Sequence, residues 1–193
     1  MFVAVINYKG TFIHLPSQQY FSCFYYNHSL SLHRPAPPLF ALIIGINKYH
    51  SPDIRDLLGA VSDADAVCDY LQDHLGVPRS QIMNFRDSQA TRTAIIHGID
   101  ALSIDDRITV GDPILVYYAG YGGWADTPTG WEAGGTGEIQ LLVPYDYSTE
   151  PETGEQKHAV PDRTLWALLS RLASKKGDNI VRRTLFSISL SID

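Results

Sequence analysis

The stretch "ILVYYAGYGGW", residues 114–124, joins a run of strand-forming apolar residues to a segment of small residues. A continuous apolar run rich in branched and aromatic residues is typical of a strand buried on both faces of a parallel sheet. Tyr121 then stands between two glycines. The pattern predicts that the strand ends near Ala119 and that the following loop presents Tyr121.

Outward from this strand, the chain alternates strand-like and helix-like segments. "LFALIIGI" (39–46), "SQIMNFRD" (80–87) and "EIQLLVPYD" (138–146) favour strands. Residues 59–77, 91–103 and 161–177 favour helices, with Thr91 as an N-cap, Pro161 or Asp162 as a start, and Gly76 and Gly177 as stops. Such alternation predicts an α/β fold with a mostly parallel central sheet covered on both faces. Ligands of these folds bind at the carboxyl ends of strands, here the loops after Ile46 and Ala119.

The composition of the chain limits which partners and which cellular compartment we expect. The chain has 193 residues and a net charge of -6, which disfavours a nucleic-acid partner because phosphate binding needs concentrated Lys and Arg. No apolar run reaches the roughly 20 residues of a membrane span, so we expect no membrane partner. The two cysteines, Cys23 and Cys68, are too few for a disulfide framework. They fit a reducing compartment, and we expect a cytoplasmic location.

The two ends of the chain differ from its middle. Residues 1–38 crowd aromatics, His and Ser without a period and close with three prolines, which predicts a disordered leader. Residues 39–180 form the predicted domain. Residues 181–193 are an atypical tail, because Arg182 and Arg183 would continue a central strand poorly, although the later alternation of apolar residues and serines would suit an edge strand.

Three ordered blocks together resemble the caspase-like cysteine peptidases, peptidase family C14, in their metacaspase and fungal caspase-domain branch. They are "FALIIGINKY" with "DLLGAVSDA", "GDPILVYYAGYGG", and "VPDRTLWALLSRLASKKGDNI", and they span about residues 39 to 180. The resemblance implies a three-layer caspase-like α/β fold, here truncated at its carboxyl end. It also implies a cysteine-type endopeptidase that acts in proteolysis.

The resemblance also implies where the catalytic pair would stand. Relatives carry a Gly-His-Gly loop after this strand, and that His activates a Cys in an Asp-x-Cys-His-Ser-Gly stretch after the next core strand. Tyr121 occupies the His position here, and a phenol is a poor proton acceptor at neutral pH. No cysteine follows Cys68, and the Cys position falls near Ser187 without the flanking motif. We therefore expect no cleavage by this chain and keep two explanations: a non-catalytic module that binds peptides or active relatives, or an altered gene model of an enzyme.

Two further site features follow from the resemblance. Relatives favour Arg or Lys before the cut, and their pocket includes an Asp on the first helix, whose position Asp63 holds. Some relatives need calcium, but Glu138 and Asp146 fall short of the about six to eight oxygens that a calcium site needs, so we expect no metal or other cofactor.

Each of these residues also has a simpler interpretation. Tyr121 could be a packing residue, and Asp63 a first-turn residue that interacts with the helix dipole. Cys68 fits core packing. The histidines that could act as a displaced base are expected at the surface: His50, His74, His97 and His158. The segment that contains Trp124 and Trp131 is either a loop that covers a substrate or a mobile loop without a binding role. A nucleotide-binding fold is disfavoured because no Gly-rich phosphate loop follows the first strand.

Overall fold

The computed structural model describes residues 2–6, 12–13, 38–127, 137–148 and 158–191, with only the backbone of the first two ranges, of Arg183 and of residues 185–191. These ranges contain the following strands and α-helices: β1 (Phe2–Ile6), β2 (Phe12–Ile13), β3 (Phe40–Gly45), α1 (Ala60–Asp69), β4 (Ile82–Arg86), α2 (Arg92–Ile104), β5 (Ile114–Asp126), β6 (Glu138–Leu142), β7 (Val160–Pro161), α3 (Asp162–Lys176) and β8 (Ile180–Ser191). A π-helical turn, Tyr70–His74, prolongs α1.

The sheet combines a parallel centre with antiparallel additions. Its strand order is β2-β1-β8-β5-β3-β4, and the last four strands of this series run parallel to one another. β1 runs antiparallel to both β2 and β8. β6 runs antiparallel to the carboxyl-terminal part of β5, and β7 pairs antiparallel with β6. The predicted mostly parallel sheet is therefore correct for β8, β5, β3 and β4 only.

Helices cover both faces of this sheet, as the alternation of segments predicts. A Cβ added at Gly45 would lie 2.7 Å from the Cβ of Ala64, so α1 packs closely against the end of β3. A Cβ added at Gly98 of α2 would lie 3.1 Å from Leu42. Positions 42 and 45 point to opposite faces of a strand. α2 and α3 contact each other, so α1 lies on one face and the helix pair on the other.

The local signals of the sequence are confirmed at several element ends. All six residues of β3 are buried, as a strand covered on both faces requires. The Thr91 side chain accepts a hydrogen bond from the Ala94 N–H at 3.1 Å and caps α2. Gly76 and Gly177 have φ of 65° and 88°, a left-handed region that stops a helix and that glycine adopts without steric penalty.

The structure differs from the sequence-based expectation after Ile180. β8 runs through both arginines and lies between β5 and β1, inside the sheet. Arg182 is half-buried, and burial lowers its pKa while the charge of Asp162 opposes that shift. The carboxylate of Asp162 thus lies close enough to Arg182 to favour its charged form. β1 and β2 belong to the predicted leader, but residues 7–11 and 14–37 lie outside the described residues, so the disorder expected there stays a prediction.

A helix that crosses a bilayer needs about 20 consecutive, mostly apolar residues. Within the described ranges, none of the helices is both long and apolar enough to cross a membrane.

Candidate functional site

The candidate site lies at the carboxyl edge of the parallel strands, where the loop after β3 leads into α1. Side chains fix this loop at both ends. The Val61 N–H donates to Asn47 Oδ1 at 3.2 Å, which caps the start of α1. The N–H groups of Asn47 and Lys48 donate to Asp87 Oδ1 at 2.8 and 3.0 Å. Asp87 follows β4 directly, so two neighbouring strand ends are tied together.

Tyr121 lies inside a strand rather than on the predicted loop. β5 continues through Asp126 because its upper part, Gly122–Asp126, pairs with β6. Tyr121 is 3% exposed and packs its ring against Tyr49, with 5.3 Å between the ring centroids. The loop prediction was wrong because the partner strand is distant in sequence and leaves no signal near Tyr121.

A buried group of tyrosines surrounds the main chain of residue 121. The Tyr121 N–H donates to Tyr49 Oη at 2.8 Å. The Tyr118 hydroxyl lies 2.8 Å from the carbonyl oxygens of both Tyr121 and Val143, so these two acceptors share its single proton. Burial raises the pKa of Tyr49 and that of Tyr118 above the usual range of a phenol. Both phenols therefore remain neutral hydrogen-bond donors at physiological pH.

Gly120 makes room for these hydroxyl groups. A Cβ added there would lie 2.4 Å from Tyr118 Oη and 2.9 Å from Tyr49 Oη, closer than atoms approach without a shift. Because Gly120 has no side chain, the hydroxyl groups of Tyr118 and Tyr49 can lie close to the main chain there.

Asp63 lies in the first turn of α1 at the same edge of the sheet. Its neighbour Ala64 packs on Gly45, and Gly45 pairs with Ala119, two residues before Tyr121. The Asp63 side chain is exposed and has no hydrogen bond or ion pair with another described residue. Its carboxylate is therefore available to a ligand.

The register of β8 brings the region of Ser187 beside Tyr121. Gly120 pairs with Phe186 and Gly122 with Ser189, so the pairing shifts between these positions. Residues 187 and 188 consequently stand across from Tyr121 in a β-bulge of β8. The main chain of residues 187 and 188 is thus next to that of Tyr121 on the adjacent strand.

The remaining candidates lie elsewhere and support the simpler interpretations. All four histidines considered as displaced bases are exposed, as expected. The His50 N–H donates to the Tyr145 carbonyl at 2.9 Å, so its main chain belongs to the edge loops. Cys68 is 5% exposed, and burial raises the pKa of its thiol. Trp124 lies on β5 at 42% exposure, and Trp131 is outside the described residues.

The two carboxylates considered for calcium include one with a structural role. Asp146 Oδ1 accepts a hydrogen bond from the Arg92 N–H at 2.7 Å and so binds the amino end of α2. Glu138 opens β6. Across the described ranges, no group of three or more His, Cys, Asp or Glu side chains is placed to hold a metal ion.

Sequence reasoning missed Tyr49 and Tyr118 as site residues. Both have a signal in the sequence, since each is a tyrosine beside a buried strand end, where a hydroxyl needs a partner. That signal does not reveal that the two phenols share Tyr121 as their partner, because this depends on the path of the loop after β3.

Comparison with known proteins complements this geometry. The family model described as the caspase domain, Peptidase C14, matches residues 39–170. No curated protein matches the chain. The crystal structure of a protein from Geobacter sulfurreducens is similar in fold at 21% identity, with a TM-score of 0.53, and the match covers 70% of this chain and 45% of that one. At this identity the likeness shows the fold alone, and the chain spans less than half the length of that protein.

Proposed function

Since this chain belongs to the caspase domain family, Peptidase C14, we propose that its sheet edge binds basic peptides without cleaving them. The chain is a caspase-like peptidase domain. The absence of cleavage and the preference for basic residues are the parts that we propose. The observation that carries the proposal is Tyr121, a phenol at 3% exposure where the resembled relatives have their His.

The chemistry of the pair explains the expected lack of cleavage. Acyl transfer to a thiol or hydroxyl needs a neighbouring base that accepts the proton. A neutral phenol does not fill that role at neutral pH, and it lacks the second ring nitrogen through which an imidazole is oriented. The polar main-chain groups of Tyr121 are already bonded within the protein. Position 121 therefore contributes shape and packing in place of proton transfer.

Asp63 supports the proposed preference for Arg or Lys. An exposed carboxylate without a partner among the described residues is free to pair with a guanidinium or an ammonium group. The neighbouring edge of the sheet offers the strand ends beside which family ligands bind. A basic side chain on Asp63 would place the peptide backbone toward the end of β5.

The test measures binding and cleavage of the same peptides. Fluorescence anisotropy is recorded with labelled peptides that differ only at one position, occupied by Arg, Lys or Glu. We expect the Arg and Lys peptides to bind and the Glu peptide not to bind. Asp63→Asn should weaken binding by about tenfold, the scale of a charge-assisted hydrogen bond. Asp69→Asn, which removes an exposed charge from the other end of α1, is the matched control and should change the affinity less than about twofold.

Cleavage is followed by mass spectrometry of the same mixtures over a day. Intact peptide is the expected result. Cleavage by purified wild-type protein would contradict the non-catalytic part of the proposal, and equal affinities of wild type and Asp63→Asn would contradict the assigned pocket.

A further inference from the structure

The N–H of residue 121 lacks the main-chain ladder partner that a strand usually provides, whereas its carbonyl accepts from the Val143 N–H. β3 pairs with β5 only as far as Gly45 opposite Ala119, and the Ile46 N–H makes a last bond to the Ala119 carbonyl at 2.9 Å. Successive polar groups of a strand alternate sides, so the Tyr121 N–H points to the side where β3 has ended. On the other side, β8 forms its bulge. A buried N–H without a partner is strongly unfavourable.

One hydroxyl group takes the place of the missing partner, and a second bonds to the carbonyl of the same residue. Tyr49 Oη stands 2.8 Å from the Tyr121 nitrogen and accepts its proton. The Tyr118 hydroxyl donates to the Tyr121 carbonyl, which also accepts from the Val143 N–H at 3.1 Å. Residue 121 is thus held at its N–H and at its carbonyl by side chains that come from the β3–α1 loop and from β5 itself.

We infer that the tyrosine pair, Tyr49 and Tyr118, positions the main chain of residue 121 and thereby the site at this edge. Packing alone would be served equally well by phenylalanine. The two oxygens, however, point inward at buried main-chain atoms, and Gly120 leaves them the necessary space. The tyrosine pair therefore fixes the position of the main chain of residue 121 within β5.

The consequence for peptide binding rests on the proposed function. A peptide held by Asp63 would meet a sheet edge whose local shape depends on residue 121. Loss of either hydroxyl group would loosen that residue and lower the affinity without touching Asp63. Neither phenol need contact the peptide for this effect, because both act through the main chain of residue 121.

The direct test is the hydrogen exchange of the Tyr121 amide, followed by NMR in the full chain. Tyr49→Phe keeps the ring and removes the acceptor. We expect the Tyr121 amide to exchange about tenfold faster, which is the scale of one lost hydrogen bond. The exchange rates of the β3 amides in the same variant serve to correct for a general loss of stability. Tyr147→Phe removes the hydroxyl of another buried tyrosine and serves as the matched control. It should leave the Tyr121 amide unchanged.

Two further measurements keep the test decisive. In wild-type protein, the Tyr49 ring protons nearest the hydroxyl should show a nuclear Overhauser effect to the Tyr121 amide, and absence of this contact would overturn the inference even if Tyr49→Phe failed to fold. In the anisotropy assay, Tyr49→Phe and Tyr118→Phe should weaken the Arg peptide severalfold and Tyr147→Phe should not. If wild type binds no peptide, the proposed function fails, while amide exchange still decides whether the tyrosine pair holds residue 121.

Unchanged exchange of the Tyr121 amide in a folded Tyr49→Phe protein would contradict the positioning role.

Discussion

Gly120 sets the geometry of the site at the scale of a single residue. Its missing Cβ lets two phenol oxygens reach the main chain of the next residue. Glycine is needed here for contact distance, and an ordinary side chain would meet both hydroxyl groups. We therefore expect position 120 to tolerate substitution poorly.

Gly120→Ala should lower the free energy of unfolding by about 1 to 3 kcal/mol, the range measured for overpacked cores. The added methyl would push Tyr118 and Tyr49 away from their acceptors. Urea unfolding followed by circular dichroism measures the change. Gly59→Ala is the control, because a Cβ there meets nothing within 4 Å, and it should cost less than about 1 kcal/mol. Equal effects of both substitutions would contradict the contact argument.

The tyrosine pair also predicts how stability depends on pH. Burial raises the folded-state pKa of both phenols above their unfolded value. The stability that they contribute is therefore fully present below about pH 10 and is lost as the pH rises above it, because the unfolded chain releases the protons first. Urea unfolding at intervals from neutral to alkaline pH measures the loss.

In that series, the free energy of unfolding of Tyr49→Phe should fall less steeply with pH than that of wild type, by about 1.4 kcal/mol per pH unit. The reason is that the variant lacks one phenol that is protonated in the folded state and ionised in the unfolded state. A decline of identical slope in wild type and variant would show that Tyr49 titrates alike in both states.

At the scale of elements, the sequence predicts those whose signals are local. The apolar run of β3, the Thr91 cap of α2 and the Gly177 end of α3 are all properties of a few neighbouring residues. The upper part of β5 could not be predicted, because its strand character comes from β6. Of the candidate site, the resemblance names Tyr121 and Asp63, whose roles stay predictions, whereas the hydrogen bond of Tyr49 joins residues 72 positions apart in the chain.

Asp87 connects two of these elements. Its carboxylate receives two N–H groups of the β3–α1 loop, and its φ of 43° lies in the left-handed region, which is unfavourable for most side chains. Asp87→Ala should therefore lower the free energy of unfolding by about 2 kcal/mol through lost hydrogen bonds.

Asp87→Asn is the matched variant for this prediction. It keeps one acceptor oxygen, and Asn tolerates the left-handed region, so the loss should be less than half as large. Urea unfolding compares the two, and equal losses would mean that the carboxylate contacts contribute little.

At the scale of the whole molecule, the sheet brings together chain segments that are far apart in sequence. β1 pairs with β8 along five residues, from Phe2 opposite Phe186 to Ile6 opposite Arg182. From residue 182 to residue 186, β8 thus has a neighbouring strand on both sides. An open strand in that place would offer a template for aggregation.

Val3→Pro should open this pairing, because proline removes a donor from β1 opposite Leu185. We expect the free energy of unfolding to fall by about 1 kcal/mol or more and light scattering to rise on warming. Val3→Thr retains a strand-forming residue and should behave like wild type. A Val3→Pro protein that stays as stable and as clear as wild type would show that β1 is dispensable.

The way residue 121 is held has a consequence for the history of the site. Its main chain is held by atoms of residues 49 and 118, in addition to the packing of its buried ring against Tyr49. One base separates a His codon from a Tyr codon, so a lineage can cross between the two in a single mutation. A scaffold of this kind can keep its shape through loss of catalysis and remain open to selection for recognition alone.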